Sequence, residues 1–205
     1  MKITLENIGK RFNSQWIFRK MNMELSEGKG YAILGANGSG KSTLLQVIAG
    51  NQLPSEGKIN YFNGKTIDPD EFYSYISIAA PYLELIEEFS LAEQIRFHSH
   101  FKKFRNALTA AEIPDLCSLS DSRNKQIRDF SSGMKQRLKL ALAILSDTTV
   151  LLLDEPCSNL DAEGVNWYNK MIEENRSGRI VIVCSNQQKN EYGFCDQEIK
   201  VEDHK

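Results

Sequence analysis

Two groups of residues have the types and spacing that chemistry needs. The first is Gly35-Ala36-Asn37-Gly38-Ser39-Gly40-Lys41-Ser42, followed by Thr43, which fits the pattern G-x-x-x-x-G-K-[ST]. Glycines let the backbone close into a tight loop whose N–H groups converge on phosphate oxygens. A helix starting at the end of that loop turns the positive end of its dipole toward the same anion. Lys41 adds a mobile cation for the terminal phosphates, and Ser42 offers a hydroxyl to Mg²⁺. The pattern predicts a site for a nucleoside triphosphate.

The second group is Val150-Leu151-Leu152-Leu153-Asp154-Glu155-Pro156. An uninterrupted apolar run of this kind reads as a strand buried on both faces of a parallel sheet. Ligands of open α/β sheets bind at the C-terminal ends of the strands, where these two carboxylates sit. Neighbouring strand residues point to opposite sides, so the acids can do different jobs. Asp154 would hold Mg²⁺ through water, and Glu155 would polarise an attacking water as general base. By itself the pair would read as an acidic turn. The phosphate loop upstream gives it a catalytic reading.

Strands and helices must position these groups. Ile3 to Ile8 alternates apolar and polar and reads as a half-buried strand. Tyr31 to Leu34 reads as a buried strand running into the glycine loop, and Ser42 to Gly50 as the apolar helix that leaves it. Asn51 to Gly57 is a turn region, while Lys58 to Asn63 and Tyr73 to Ala79 carry strand-type residues. From about residue 81 to 129 the chain turns helical and loop-like, with Leu91, Ile95 and His98, and again Phe97, Phe101 and Phe104, at helical spacing. Ser131 or Ser132 can cap a helix whose Met134, Leu138, Leu142 and Leu145 share one face. Ala162 to Asn175 reads as a helix and Arg179 to Cys184 as a last buried strand. Strands alternating with helices predict an α/β fold around a largely parallel sheet.

Composition limits the functions open to the chain. Its 205 residues suffice for one domain with a sizeable core, and 25 Lys+Arg against 27 Asp+Glu give a net charge of −2. Without a basic excess, nucleic acid is not an expected partner. No apolar run approaches the ~20 residues that cross a bilayer, and the opening residues have no apolar signal core, so neither spanning nor secretion is expected. The four cysteines (Cys117, Cys157, Cys184, Cys195) show no metal spacing and read as buried or idle thiols. His98 and His100, two apart, do not share a helix face and read as solvated.

Two further segments, Phe130-Ser131-Ser132-Gly133-Met134-Lys135-Gln136-Arg137 and Ser158-Asn159-Leu160-Asp161, stand with the loop and the acidic pair in a recognisable order. Together they make the chain resemble the ATP-binding cassette (ABC) ATPases over nearly its whole length. Its small size resembles the short bacterial cassettes grouped with haem-exporter ATPases. The resemblance implies a single domain over 1–205. Its P-loop core, about 1–80 and 130–205, would have N-terminal antiparallel strands, with an inserted helical subdomain at about 81–129. It implies ATP and Mg²⁺ as cofactors and hydrolysis of ATP to ADP and phosphate. It also implies that two cassettes, as homodimer or heterodimer, sandwich ATP head to tail. Ser131 and Gly133 of one would then meet the γ-phosphate held by the other, and Asp161 would lie near the same nucleotide. Phe12 stands where the family places an aromatic residue against adenine, with Trp16 a nearby rival. The implied partner is an integral membrane permease subunit docked on the helical region. The implied location is the cytoplasmic face of the cell membrane.

Three positions depart from the family. Ala80 falls where a glutamine usually meets Mg²⁺ and the attacking water. Asn186 falls where a histidine usually contacts the γ-phosphate; an amide can donate a hydrogen bond but cannot carry a proton at neutral pH. The signature reads Phe-Ser-Ser-Gly-Met in place of Leu-Ser-Gly-Gly-Gln. The expectation is normal ATP binding with slow hydrolysis. A soluble ABC ATPase, or an ATP-gated clamp with weak hydrolysis, is the alternative to a transporter motor.

Overall fold

The computed structural model describes residues 1–204. Strand β1 (Lys2–Phe12) and strand β2 (Gln15–Ser26) form an antiparallel ribbon, and β3 (Gly30–Leu34) runs straight into the glycine loop. Helix α1 (Lys41–Ile48) leaves that loop. Strands β4 (Glu56–Phe62) and β5 (Thr66–Ile67) complete a four-stranded antiparallel sheet in the order β2-β1-β4-β5.

Strand β6 (Ile76–Ala79) opens the second half of the core and is followed by α2 (Leu91–Phe101) and the one-turn α3 (Ile113–Leu116). The chain then forms α4 (Ser132–Leu145), β7 (Val150–Asp154), α5 (Ala162–Asn175), β8 (Ile180–Ser185), the one-turn α6 (Lys189–Tyr192) and β9 (Gln197–Lys200). The second sheet is parallel throughout, in the order β6-β7-β8-β3-β9.

Side-chain alternation along the parallel strands builds two cores. Leu151, Leu153, Val181 and Val183 join α4, α5 and the helical region on one face. Val150, Leu152, Ile180 and Ile182 join α1 and the antiparallel sheet on the other. All four apolar residues of β7 are 0% exposed. At about 1.5–3 kcal/mol for each such side chain, the strand is a firm mount for the acids at its end.

The opposite end of the sheet is pinned by Arg179, which is 1% exposed. Its guanidinium donates to the Ile144 carbonyl at 2.7 Å, to Ser77 Oγ at 3.0 Å and to Thr148 Oγ1 at 2.5 Å. Burial pushes its pKa down to about 9.

Three local expectations need correction. The strand expected over Tyr73 to Ala79 begins only at Ile76, because residues 69–75 form a 3₁₀ turn. Pro69 starts that turn and the Asp68 side chain accepts from Asp70 N, while Phe72 stacks on Tyr61 at 3.8 Å between ring centroids. The helical spacing of Phe97, Phe101 and Phe104 extends past the helix: α2 ends at Phe101, Lys102 is extended, and Phe104 bridges to Ser146. His98 is not solvated. Its Nε2 shares a 2.8 Å hydrogen bond with Ser146 Oγ and its ring stacks on Phe104. His100 is exposed. The four cysteines are free, three of them buried.

Candidate functional site

The loop from Gly35 to Ser42 joins the buried strand β3 to the buried helix α1, so both of its ends are fixed. Gly38 and Gly40 hold φ values of 78° and 107°, a region that side-chain-bearing residues rarely adopt. A Cβ on Gly40 would stand 2.3 Å from Ile17 Cγ2 and 3.6 Å from Val201 Cγ1. The loop is thus seated against the antiparallel ribbon and against the segment that follows β9. Glu202 of that segment accepts a hydrogen bond from Ala36 N at 3.2 Å.

Lys41 is 5% exposed and folds back over its own loop, donating to the Gly35 carbonyl at 2.9 Å and the Ala36 carbonyl at 3.1 Å. Ser39 Oγ is buried without a hydrogen-bond partner. A cavity of about 200 Å³ is lined by Asn37, Gly38, Gly40, Lys41, Ser42 and Glu155. The structure therefore brings Glu155, from the end of β7, into the same cavity as the phosphate loop.

Glu155 sits in the left-handed region at φ 47°, and its N–H donates to the Cys184 carbonyl at 2.9 Å. That bond continues the β7–β8 ladder one residue past Asp154, and the turn of the backbone then swings the Glu155 side chain toward the loop. Asp154 is 2% exposed. Burial pushes its pKa up; the Ser42 side chain favours the ionised form, Glu155 disfavours it and Lys41 favours it. A hydroxyl and a carboxylate set side by side, with phosphate oxygens to share the task, are the hard oxygen donors that suit Mg²⁺.

Ser131, Gly133 and Asp161 lie elsewhere. They line a separate cavity of about 320 Å³ together with Ser118, Met134 and Arg137. Ser131 caps α4, its Oγ accepting from Met134 N at 3.2 Å. Gly133 lets the turn after β7 come close: a Cβ there would be 3.1 Å from the Asn159 carbonyl. Asp161 caps α5 through Gly164 N at 2.7 Å and pairs with Arg137 at 3.5 Å.

Phe12 is 48% exposed at the end of β1, with the Lys10 ammonium 5.2 Å from its ring centroid, and it does not line the phosphate-loop cavity. Trp16 lines a neighbouring cavity of about 450 Å³ with Arg19, Lys20, Asp203 and His204, and the Arg19 guanidinium covers its ring at 4.2 Å. Asn186 is exposed just beyond β8. Thr43, the last residue of the motif, lies in the first turn of α1.

Ala80 follows the Ala79–Leu153 pair of the β6–β7 ladder, beside Asp154, and is buried. Tyr82, two residues on and 44% exposed, carries a phenol close enough to Asp154 and Gln46 for both to act on its titration. The chain turns here, with Leu83 N donating to the Ala80 carbonyl at 3.2 Å. Burial pushes the Tyr82 phenol pKa up, Asp154 and Cys184 push the same way, and the Gln46 side chain opposes them. Gln46 lies one helical turn beyond Ser42 on the same face of α1. An aromatic residue just past Ala80-Pro81 was the only signal available in the letters.

The family model described as "ABC transporter" matches residues 18–158. The chain belongs to the ABC transporter family. As an ABC cassette it is an ATP-binding protein of the P-loop ATPase class. It is 32% identical over 190 residues to "ABC transporter I family member 1" of Arabidopsis thaliana, an alignment covering 90% of this chain and 81% of that one. It is 26% identical over 196 residues to the ABC transporter ATP-binding protein YybJ of Bacillus subtilis, covering 95% and 89%. Its fold matches the dimeric bacterial ABC transporter cassette MJ0796 at a TM-score of 0.80 and 23% identity, over 97% of this chain and 94% of that one.

Proposed function

We propose that this cassette is the motor subunit of a membrane transporter, closing on a second cassette around two ATP molecules and hydrolysing them. One observation carries the reading. The phosphate-loop residues share a cavity with Glu155, whereas Ser131, Gly133 and Asp161 line another cavity of the same chain. A helix start with free N–H groups and a Ser cap is an anion site in want of an anion. The head-to-tail dimer supplies that anion as the γ-phosphate held by the partner's loop.

In this arrangement Lys41 and the loop amides bind the β- and γ-phosphates. Ser42 and Asp154 hold Mg²⁺, which when bound neutralises charge on the phosphate oxygens. Glu155 takes the proton of the attacking water, and Asn186 donates an amide hydrogen to the γ-phosphate. Phe12 packs against the adenine. Residues 81–129 act as the helical subdomain of the single domain.

The pore belongs to a separate permease subunit, and this chain works at the cytoplasmic face of the membrane; its similarity to ATP-binding proteins of ABC transporters supports the reading. No helix of the described residues is long and apolar enough to cross a membrane. The permease docks at a cleft of about 430 Å³ between β6 and α2, whose lining includes Tyr73, Leu83, Leu85 and Phe101. Hydrolysis is slower than in cassettes with a glutamine and a histidine at positions 80 and 186. Ala80 supplies no polar atom, and the amide of Asn186 cannot take up a proton. The same two residues favour, as a second reading, an ATP-gated clamp whose output is dimerisation.

The test is titration of the purified chain with Mg²⁺ and ATP, followed by size-exclusion chromatography and phosphate release. Saturable binding, a shift to dimer and slow turnover are expected. Absence of binding by folded protein overturns the proposal. Dimerisation without any turnover favours the clamp.

A further inference from the structure

Glu191 is a buried acid that the scheme above does not use. It is 1% exposed, in the short helix α6, and its contacts are made by both side chain and backbone. Oε1 accepts from Cys157 N at 3.1 Å, and Oε2 accepts from the Ser185 hydroxyl. Ser185 Oγ in turn accepts from Gln188 N at 3.2 Å. The Glu191 carbonyl accepts from the Tyr168 hydroxyl at 2.8 Å, which anchors the residue to α5.

The two arms of this carboxylate reach different segments. Cys157 lies two residues after Glu155, in the turn that leaves β7. Ser185 is the last residue of β8 and immediately precedes Asn186. Among the described residues no lysine or arginine forms an ion pair with Glu191; its donors are neutral. Burying an ionisable group costs free energy unless its hydrogen bonds are made, and here they are made to these two segments. A residue needed only to fill space at this point would be apolar.

We propose that Glu191 is a positioning residue, a latch that ties the segment carrying Asn186 to the turn carrying Glu155 so that both approach the terminal phosphate as one unit. The inference deepens the function proposed above and names a residue for it. Misplacement of a reacting group by about 1 Å can cost about 10²-fold in rate, which is the scale on which such a latch acts.

The experiment uses the full chain with Glu191→Ala, Glu191→Gln and Ser185→Ala. Amide hydrogen exchange is read at Cys157 and Gln188, beside steady-state ATP turnover. Glu191→Ala is expected to speed exchange at both amides by about tenfold or more, with residues 31–34 of β3 unchanged. Glu191→Gln, which keeps an acceptor for Cys157 N, restores protection there. In turnover, Glu191→Ala lowers kcat by about 10- to 100-fold with KM within about twofold. Added to Asn186→Ala, it costs less than about twofold more, because the two act through one arrangement.

Exchange that rises at only one of the two amides, or a kcat loss that multiplies in full with that of Asn186→Ala, overturns the latch. If Glu191→Ala does not fold, Ser185→Ala takes its place: it removes one arm, and exchange at Cys157, whose N–H bonds Glu191 and not Ser185, and kcat must both respond. A wild-type chain without turnover would strike the proposed function alone, since the exchange measurement still decides the latch.

Discussion

Lys41 Nζ lies 2.9 Å from the carbonyl oxygen of Gly35, six residues back along its own loop. Its ammonium therefore holds the loop's shape and faces the cavity at once. Lys41→Ala is expected to weaken ATP binding by about 10- to 100-fold, the worth of one lost charge-assisted hydrogen bond of about 1.5–3 kcal/mol. Calorimetric titration with Mg²⁺ and ATP checks it, and unchanged affinity would mean that the lysine only braces the loop.

Glu155→Gln keeps the size and one acceptor of the side chain but removes the base. Turnover should fall by about 10²–10⁴-fold, with nucleotide affinity changed by no more than a few-fold. In size-exclusion chromatography with ATP present, the variant should stay dimeric longer than the wild type. A turnover rate within a few-fold of wild type would take the proton-accepting role away from this residue.

The Tyr82 phenol stands near Asp154 and Gln46, where Ala80 offers nothing polar. Tyr82→Phe is expected to lower kcat by about tenfold and to raise the Mg²⁺ concentration needed for half-maximal rate, while ATP affinity holds. Equal kinetics for the phenylalanine variant would leave the ring with a packing role only.

Burial pushes the His98 pKa down to about 4 from 6.5, and the nearby Lys102 adds to the effect. The unfolded chain therefore takes up this proton more readily than the folded one. The stability contributed by a neutral His98 is complete above about pH 6.5 and drains away as pH falls toward 4, by up to about 3 kcal/mol. Urea unfolding from pH 7 to 4 should show this loss, and His98→Gln should flatten that part of the profile.

Arg179→Met leaves the Ile144 carbonyl, Ser77 and Thr148 without their shared donor. A stability loss of more than about 3 kcal/mol is expected from urea unfolding, because buried polar groups left unpaired carry their full desolvation cost. A loss under about 1 kcal/mol would mean that the strand end repacks.

Much of this site can be read in the letters, because backbone geometry does the work there. Gly38 and Gly40 are needed for their φ values, and Val150–Leu153 for burial on both faces; such demands mark the sequence directly. Glu191 and Tyr82 were illegible because deciding partners come from distant segments: Cys157, 34 residues from Glu191, for one, and Asp154 and Gln46 for the other. His98 was misread for the same reason, since Ser146 lies 48 residues away in the chain. Strand β9 gave no signal either. Its residues are mostly polar and exposed, and only pairing with β3 makes it a strand.

Gly40 meets Ile17 on one side and Val201 on the other, and Ala36 is held by Glu202. A polypeptide lacking Val201 and Glu202 would keep every motif and still lack one of the walls against which the glycine loop rests. Nucleotide capture therefore depends on a segment that carries none of the motifs, and disturbing Val201 or Glu202 is a way to silence the loop without touching its chemistry.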